Sequence, residues 1–219
     1  MSISSTEPHI LSILTADGRL LFATRTLRMF AYGFLAVVLA LYLAAIGLTA
    51  GEIGLLLTLT LIGDTIISLW ITTTADRIGR RRMLIAGAGL MLFAGILFVL
   101  TRDFKLLLIA ATIGVISPSG YEVGPFLPIE QAALTQAVPG IRRTHVFAWY
   151  NLAGSLATAA GALTGGVLAQ LLMKAGIPQA GSYRLIVFFY AAIGLALGVF
   201  FMRLSPAVET PEREKKRQK

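Results

Sequence analysis

From Val146 to Met173 the chain reads VFAWYNLAGSLATAAGALTGGVLAQLLM, and this stretch decides the fold. It contains no Asp, Glu, Lys or Arg over 28 residues. A bilayer core about 30 Å thick needs roughly 20 helical residues, each rising about 1.5 Å. The stretch is therefore long enough and apolar enough to cross a membrane as one helix.

Five further stretches have the same character. They are Met29–Gly51, Ile53–Ala75 (broken only by Asp64), Met83–Thr101, Leu106–Ile129 (broken only by Glu122) and Leu185–Met202. Their solid apolarity excludes a membrane β-barrel, whose strands alternate apolar and polar residues over about 10 positions. The sequence therefore predicts an all-α membrane protein with six transmembrane helices, embedded in a lipid bilayer.

The composition excludes several other classes of protein. Of the 219 residues, 56% are hydrophobic and 14% are charged, whereas soluble domains have about 25% charged residues. An ordinary soluble enzyme is thereby excluded. The chain has no cysteine, which excludes disulfides, Cys-ligated zinc and cysteine nucleophiles. We expect no catalytic residue, no cofactor and no bound metal.

The basic residues predict the orientation of the chain. When the flanks of the six spans are numbered alternately, 15 of the 19 Lys and Arg residues fall on one side and four on the other. Cytoplasmic loops are enriched in Lys and Arg, so we expect a multi-pass protein of the cell (inner) membrane with both termini in the cytoplasm. This placement explains the net charge of +8 without a nucleic-acid partner, since basic patches interleaved with exposed aromatics are missing from the sequence.

Three regions follow from these boundaries. Residues 1–24 are expected to form a cytoplasmic amino-terminal segment, and residues 25–204 a six-span bundle. Residues 205–219 are polar and basic, and we interpret them as a cytoplasmic tail that starts an interdomain linker.

Polar side chains recur at helical spacing in four of the six spans, whereas the third and sixth spans are almost wholly apolar. Polar faces in lipid are costly, so they point at protein or water. We therefore expect spans three and six to face lipid and the others to surround a polar path. The candidates for contact with a solute or with protons are Arg28, Tyr32, Asp64, Glu122 and Asn151. The alternative is that these side chains, Asp64 and Glu122 included, only join helices together.

Asp64 lies near the middle of its predicted span. Desolvation there favours a neutral carboxyl group, so we expect Asp64 to exchange a proton or to bind a cationic group. Arg28 lies near the cytoplasmic end of the first predicted span, about 12 Å from the midplane at about 1.5 Å per residue. A direct pair between these two residues would need tilt or an extended arginine. Glu122 is the second candidate, either as a proton relay or as the partner of Arg28.

The loop after the second span reads ADRIGRRR from Ala75 to Arg82. It resembles the signature loop of the major facilitator superfamily, Gly-x-x-x-Asp-Arg-x-Gly-Arg-Arg/Lys, in the same place between spans two and three. Thr72 stands where the pattern begins with Gly. The matching residues are Asp76, Arg77, Gly79, Arg80 and Arg81. The resemblance implies that this loop acts as a conformational latch against the other half of a transporter.

The resemblance covers residues 20–204, which correspond to one half of a fold built from two six-span halves. It implies the amino-terminal half of a transporter, not an enzyme, that moves a small solute by alternating access, with proton coupling as one option. The implied partner is a second six-span half or a second copy. One alternative is an inactive truncated fragment or a split-gene subunit. A remote alternative is a six-span intramembrane serine protease, with Ser117 or Ser119 as nucleophile and His9 or His145 as base.

Overall fold

The computed structural model describes residues 14–122, 124–138 and 140–209. Within them the chain forms seven α-helices and two short 3₁₀ turns. The helices are α1 (Ala16–Ala45), α2 (Ala50–Ile78), α3 (Arg80–Leu100), α4 (Phe104–Ile113), α5 (Phe126–Ala137), α6 (Arg143–Lys174) and α7 (Gln179–Met202). The 3₁₀ turns are Gly140–Arg142 and Pro206–Val208.

The expectation of six continuous spans needs a correction at the fourth. The predicted span Leu106–Ile129 is divided into α4 and α5, which are separated by the segment 114–125, whose described residues (114–122, 124 and 125) are not helical. Gly120 and Gly124 adopt positive φ values of 73° and 89°, which L side chains rarely adopt. Pro125 disfavours a helical residue before it and lacks an N–H for the helical ladder. In the described part of the chain, five helices are long and apolar enough to cross a membrane, and α4 and α5 are too short.

Non-helical backbone at membrane depth is tolerated only where protein or a water-filled cavity satisfies its polar groups. Here the Val115 carbonyl accepts a hydrogen bond from the Tyr190 hydroxyl at 2.5 Å. The Tyr121 carbonyl accepts one from the Ser117 hydroxyl at 2.6 Å. Val115 and Ser117 are also buried. The segment is therefore held as an ordered insertion between α4 and α5.

α1 is the central helix, and 61% of its most apolar stretch is buried. Its most extensive contacts are with α6 and α7. At the α1–α6 contact, a Cβ added at Gly161 would collide with the Phe30 carbonyl, and one at Gly165 would lie 2.5 Å from the Phe34 oxygen. This pair of glycines four residues apart therefore lets two backbones approach closely, as small residues do in membrane helix interfaces.

Burial within this chain differs among the long helices. The apolar stretches of α3 and α7 are 44% and 39% buried, whereas those of α2 and α6 are both 22% buried. α3 and α7 pack extensively against each other. Large apolar side chains are exposed along α2 and α6, among them Ile66, Trp70, Leu156 and Leu163. The least covered helices of this chain are thus two that carry polar positions.

Candidate functional site

The site is built on one face of α1. Arg25, Arg28 and Tyr32 are three and four residues apart, so they share that face. Arg28 and Tyr32 are completely buried, and Arg25 is 6% exposed. α1 begins at Ala16, which places Arg28 near the middle of the helix and not near one end. The helix begins well before the predicted span because a charge-free run ends at the first charged residue, even when that residue is paired inside the protein.

Arg28 forms a two-pronged ion pair with Glu130 on α5. Its Nη1 lies 2.7 Å from Glu130 Oε1, and its Nη2 donates to Oε2 at 2.8 Å. Both side chains are completely buried. The Tyr150 hydroxyl on α6 donates to Glu130 Oε2 at 2.5 Å. Paired geometry of this kind holds a guanidinium in one orientation, so the three helices α1, α5 and α6 are joined at one point.

Glu122, in the segment between α4 and α5, pairs with both arginines. It contacts Arg28 Nη2 and lies 2.8 Å from Arg25 Nη2. Arg25 Nη2 also donates to the side-chain oxygen of Asn151 at 3.2 Å. We name Arg25, Arg28, Glu122 and Glu130 the arginine–glutamate network. Its two positive and two negative charges balance.

Two aromatic rings complete the surroundings of the guanidinium groups. The Arg25 guanidinium carbon lies 4.1 Å from the centroid of the Tyr150 ring. The Arg28 guanidinium carbon lies 4.4 Å from that of Phe126. Both distances are in the range of cation–π attraction, which strengthens when the cation is desolvated.

Asp64 on α2 lies beside this network. Its Oδ2 accepts a hydrogen bond from the Gly124 backbone N–H at 3.1 Å, two residues along the chain from Glu122. Its side chain is buried, and among the described residues its Oδ1 has no hydrogen-bond partner. The same is true of Ser68 Oγ, one helical turn away. Asp64 is therefore a carboxylate outside the arginine–glutamate network, and its Oδ1 could accept a hydrogen bond or a proton.

The five predicted path residues are brought into one region. Arg28, Glu122 and Asn151 are connected through the network, and Asp64 is connected to it by Gly124. Tyr32 is near enough to interact electrostatically with Arg28, Glu122 and Asp64. This proximity does not by itself assign a transport role to any of them.

Sequence reasoning missed Arg25, Glu130 and Tyr150. Arg25 was counted as a loop charge, and Glu130 was used only as the end of the fourth span. The sequence does contain a pattern that points to them. Arg25 and Arg28 lie three residues apart beside one predicted span, and charged residues within a membrane generally pair with opposite charges. Glu122, inside the proline-containing break, and Glu130, on α5 just after it, supply them.

The signature loop forms the turn between α2 and α3. Gly79 has a φ of 119°, and α3 begins at the next residue. Arg80 Nε donates to Asp76 Oδ1 at 3.0 Å, and the Arg80 backbone N–H donates to Glu209 Oε2 at 2.9 Å. Arg81 contacts the Met202 carbonyl, and Arg77 is exposed. The turn is therefore attached to the segment that follows α7.

The side chains named for a serine protease lie in other surroundings. The Ser117 hydroxyl donates to the Tyr121 carbonyl, and His145 is exposed in the first turn of α6. His9 lies outside the described residues.

Comparison with known proteins identifies similar sequences. Residues 21–219 match the family described as Major Facilitator Superfamily. The chain is 40% identical over 195 residues to the uncharacterized membrane protein YJR124C of Saccharomyces cerevisiae, covering 88% of this chain and 44% of that protein. It is 23% identical over 161 residues to the quinolone resistance protein NorA of Staphylococcus aureus strain MRSA252, covering 74% of this chain and 40% of that protein. The chain thus spans less than half the length of each of these relatives.

Proposed function

Because the chain belongs to the Major Facilitator Superfamily, we propose that it is the amino-terminal half of a carrier that moves a small solute by alternating access. The buried arginine–glutamate network with Asp64 beside it supports this proposal most strongly. Four ionised side chains inside a membrane bundle are costly to bury, and intramembrane charges of this kind generally mark a path for a solute or ion.

The network supports a conformational role because it joins parts that can move against one another. It connects α1, the break between α4 and α5, and α5 through three ion pairs. Each pair fixes one of these parts relative to Arg25 or Arg28. Alternating access requires such a unit to have two arrangements, and we propose that exchange of the Glu122 contacts accompanies the change.

We propose that Asp64 exchanges a proton or binds the cationic group of a solute, with Glu122 as relay. The balanced network leaves Asp64 as the additional negative charge, and its Oδ1 has no partner among the described side chains. A buried acceptor without a partner is costly, so a proton or a cation at that oxygen would relieve the cost.

The second half of the carrier would cover α2 and α6. These helices are the least buried of the five long ones and expose apolar side chains along their length. We propose a separate six-span half or a second copy of the chain as the covering partner. We also propose that the protein resides in the cell (inner) membrane with both termini in the cytoplasm.

A second candidate function is that of a subunit inactive alone, as a split-gene product or truncated fragment. The exposed α2 and α6 favour it, because an incomplete carrier would leave these faces for a partner. A neighbouring reading frame that encodes six further spans would distinguish this candidate from a self-assembling carrier.

The proposal is tested by reconstituting the purified chain in liposomes. The copy number per assembly is measured in detergent and in bilayers, and flux of a quinolone is measured under a pH gradient. A quinolone is the first solute because the NorA relatives carry that word in their printed name. Flux by an assembly of two copies is expected. Flux by a monodisperse monomer would contradict the need for a second half, and an assembly without flux would favour the inactive subunit.

A further inference from the structure

The chain that follows α7 is attached to two distant parts of the protein. We name Ser205–Glu209 the strap. The Ser205 N–H donates to Asp17 Oδ1 at 3.0 Å, and the Ser205 hydroxyl donates to Asp17 Oδ2 at 2.5 Å. At its other end, Glu209 Oε2 accepts from the Arg80 N–H at 2.9 Å. The strap thus bridges the start of α1 and the turn between α2 and α3.

The strap is anchored between its ends by a buried side chain. Val208 is 3% exposed, and its carbonyl accepts a hydrogen bond from Arg80 Nη1 at 3.5 Å. Pro206 and Ala207 are exposed on the opposite side. The strap therefore has one face packed on the bundle and one face open to a partner.

Ser205 is the residue on which the docking depends most. Its hydroxyl donates to Asp17 and also accepts from the Ala207 N–H at 3.2 Å, which caps the short 3₁₀ turn. Four hydrogen bonds of the strap therefore use this one residue, the fourth being from the Val208 N–H to the Ser205 carbonyl. Two of them end on a single carboxylate, so any negative charge added at Ser205 Oγ meets Asp17 at close range.

The sequence around this hydroxyl has the pattern that proline-directed protein kinases recognise, a serine or threonine followed directly by proline. Ser205 precedes Pro206, and the pattern recurs at Thr210 and Pro211, ahead of the basic run that ends the chain. Ser205 lies just past α7 on the predicted cytoplasmic side, where a kinase and ATP would both be present. This last step rests on the proposed orientation.

We propose that Ser205 is a phosphorylation site for a proline-directed kinase and that its modification releases the strap. The kinase transfers the terminal phosphoryl group of ATP to Ser205 Oγ. A new bond forms between Oγ and phosphorus while the bond to the β–γ bridging oxygen breaks. ADP leaves, and the hydroxyl proton passes to solvent.

Electrostatics explain the release. A phosphoserine carries about −1.5 to −2 charges near neutral pH and lacks the donor proton, and next to Asp or Glu it disrupts by repulsion. The Asp17 carboxylate at the present hydrogen-bond distance is such a neighbour. The guanidinium of Arg80 is already engaged by Asp76 and Val208. The phosphorylated strap therefore leaves Asp17, and the Glu209 contact at the α2–α3 turn loosens with it.

The test uses the full chain in detergent with ATP and a purified proline-directed kinase, so it does not depend on transport or on orientation. Phosphorylated residues are mapped by mass spectrometry. Because the chain has no cysteine, Val208→Cys gives a single buried reporter for maleimide labelling. Ile141→Cys, at a position that is 96% exposed, is the control. We expect phosphate at Ser205 and Val208→Cys labelling faster by about tenfold, since loss of hydrogen bonds to a charged group is worth at least that factor, with Ile141→Cys unchanged.

Two further variants and hydrogen exchange separate the effect of phosphate at Ser205 from that of phosphate at Thr210. Thr210→Ala should keep both phosphorylation at Ser205 and the faster labelling, whereas Ser205→Ala should abolish the response to kinase. Hydrogen exchange at the Ser205 and Ala207 amides, which needs no cysteine, should quicken in the phosphorylated wild-type chain. Phosphate at Thr210 without any at Ser205 would overturn the proposal. So would stoichiometric phosphate at Ser205 with unchanged labelling and exchange.

Discussion

Arg28 and Glu130 face each other through hydrogen bonds of 2.7 and 2.8 Å, and neither side chain is exposed. They lie 102 residues apart in sequence. A buried pair contributes little net stability compared with apolar residues, but removal of one partner leaves an uncompensated charge. This pair therefore fixes where α5 meets α1, and its loss should be costly.

We predict that Glu130→Gln lowers the free energy of unfolding by about 3 kcal/mol, the lower end of the range for breaking a buried pair. The reason is that Arg28 would keep only the Glu122 carboxylate as an anionic partner. The measurement is thermal unfolding in detergent. The matched control is Asp103→Asn, because Asp103 is an exposed N-cap of α4 and Asn caps helices about as well as Asp. Equal melting temperatures for the two variants would contradict a central role of the pair.

The close approach of α1 and α6 gives a second prediction. Gly161→Ala adds a methyl group that would collide with the Phe30 carbonyl, and overpacking of this kind costs about 1–3 kcal/mol. Gly89→Ala is the control, since that helical glycine on α3 has nothing within 4 Å of an added Cβ. Replacing it should stabilise the protein by about 0.5–1 kcal/mol. Comparison of the two melting temperatures checks this, and a Gly161→Ala protein as stable as wild type would show that the helices can separate freely.

Orientation is open to a labelling test. With cysteines introduced one at a time, Arg81→Cys and Gly181→Cys should react with impermeant reagent from opposite sides of the membrane, because Lys and Arg are enriched in cytoplasmic loops. The cysteine-free chain serves as the blank. Labelling of both positions from outside the cell would reject the proposed topology.

The long helices and the α2–α3 turn could be predicted from the sequence because apolar length and the Asp76–Arg81 pattern are local properties. The break at residues 114–125 could not be predicted with the same certainty. Pro118 and Pro125 predict a bend. Transmembrane helices nevertheless tolerate proline when neighbouring groups form hydrogen bonds with the backbone polar groups that it leaves unpaired. Whether the bend opens into a separate segment depends on distant partners such as Tyr190 and Asp64.

The composition of the site was predictable only in part, for a related reason. Asp64 and Glu122 stand out because they interrupt apolar runs. Glu130 borders such a run and Arg25 lies just outside one, so a search for charge-free stretches leaves both residues out of the spans. Their burial becomes evident only when α1, the break between α4 and α5, and α5 are brought together and the charges neutralise one another.

We propose that the arginine–glutamate network takes part in moving a solute, with Asp64 beside it as the titrating or cation-binding group. The most direct measurement is pH-dependent quinolone transport by the assembled protein in liposomes, with Asp64→Asn compared against Ser68→Ala one helical turn away. We predict that Ser68→Ala keeps the pH dependence of wild type and that Asp64→Asn loses it, with transport reduced about a hundredfold, the low end of the contributions of positioned proton-transfer groups. Full pH-dependent transport by Asp64→Asn would contradict the account and make Asp64 a structural residue.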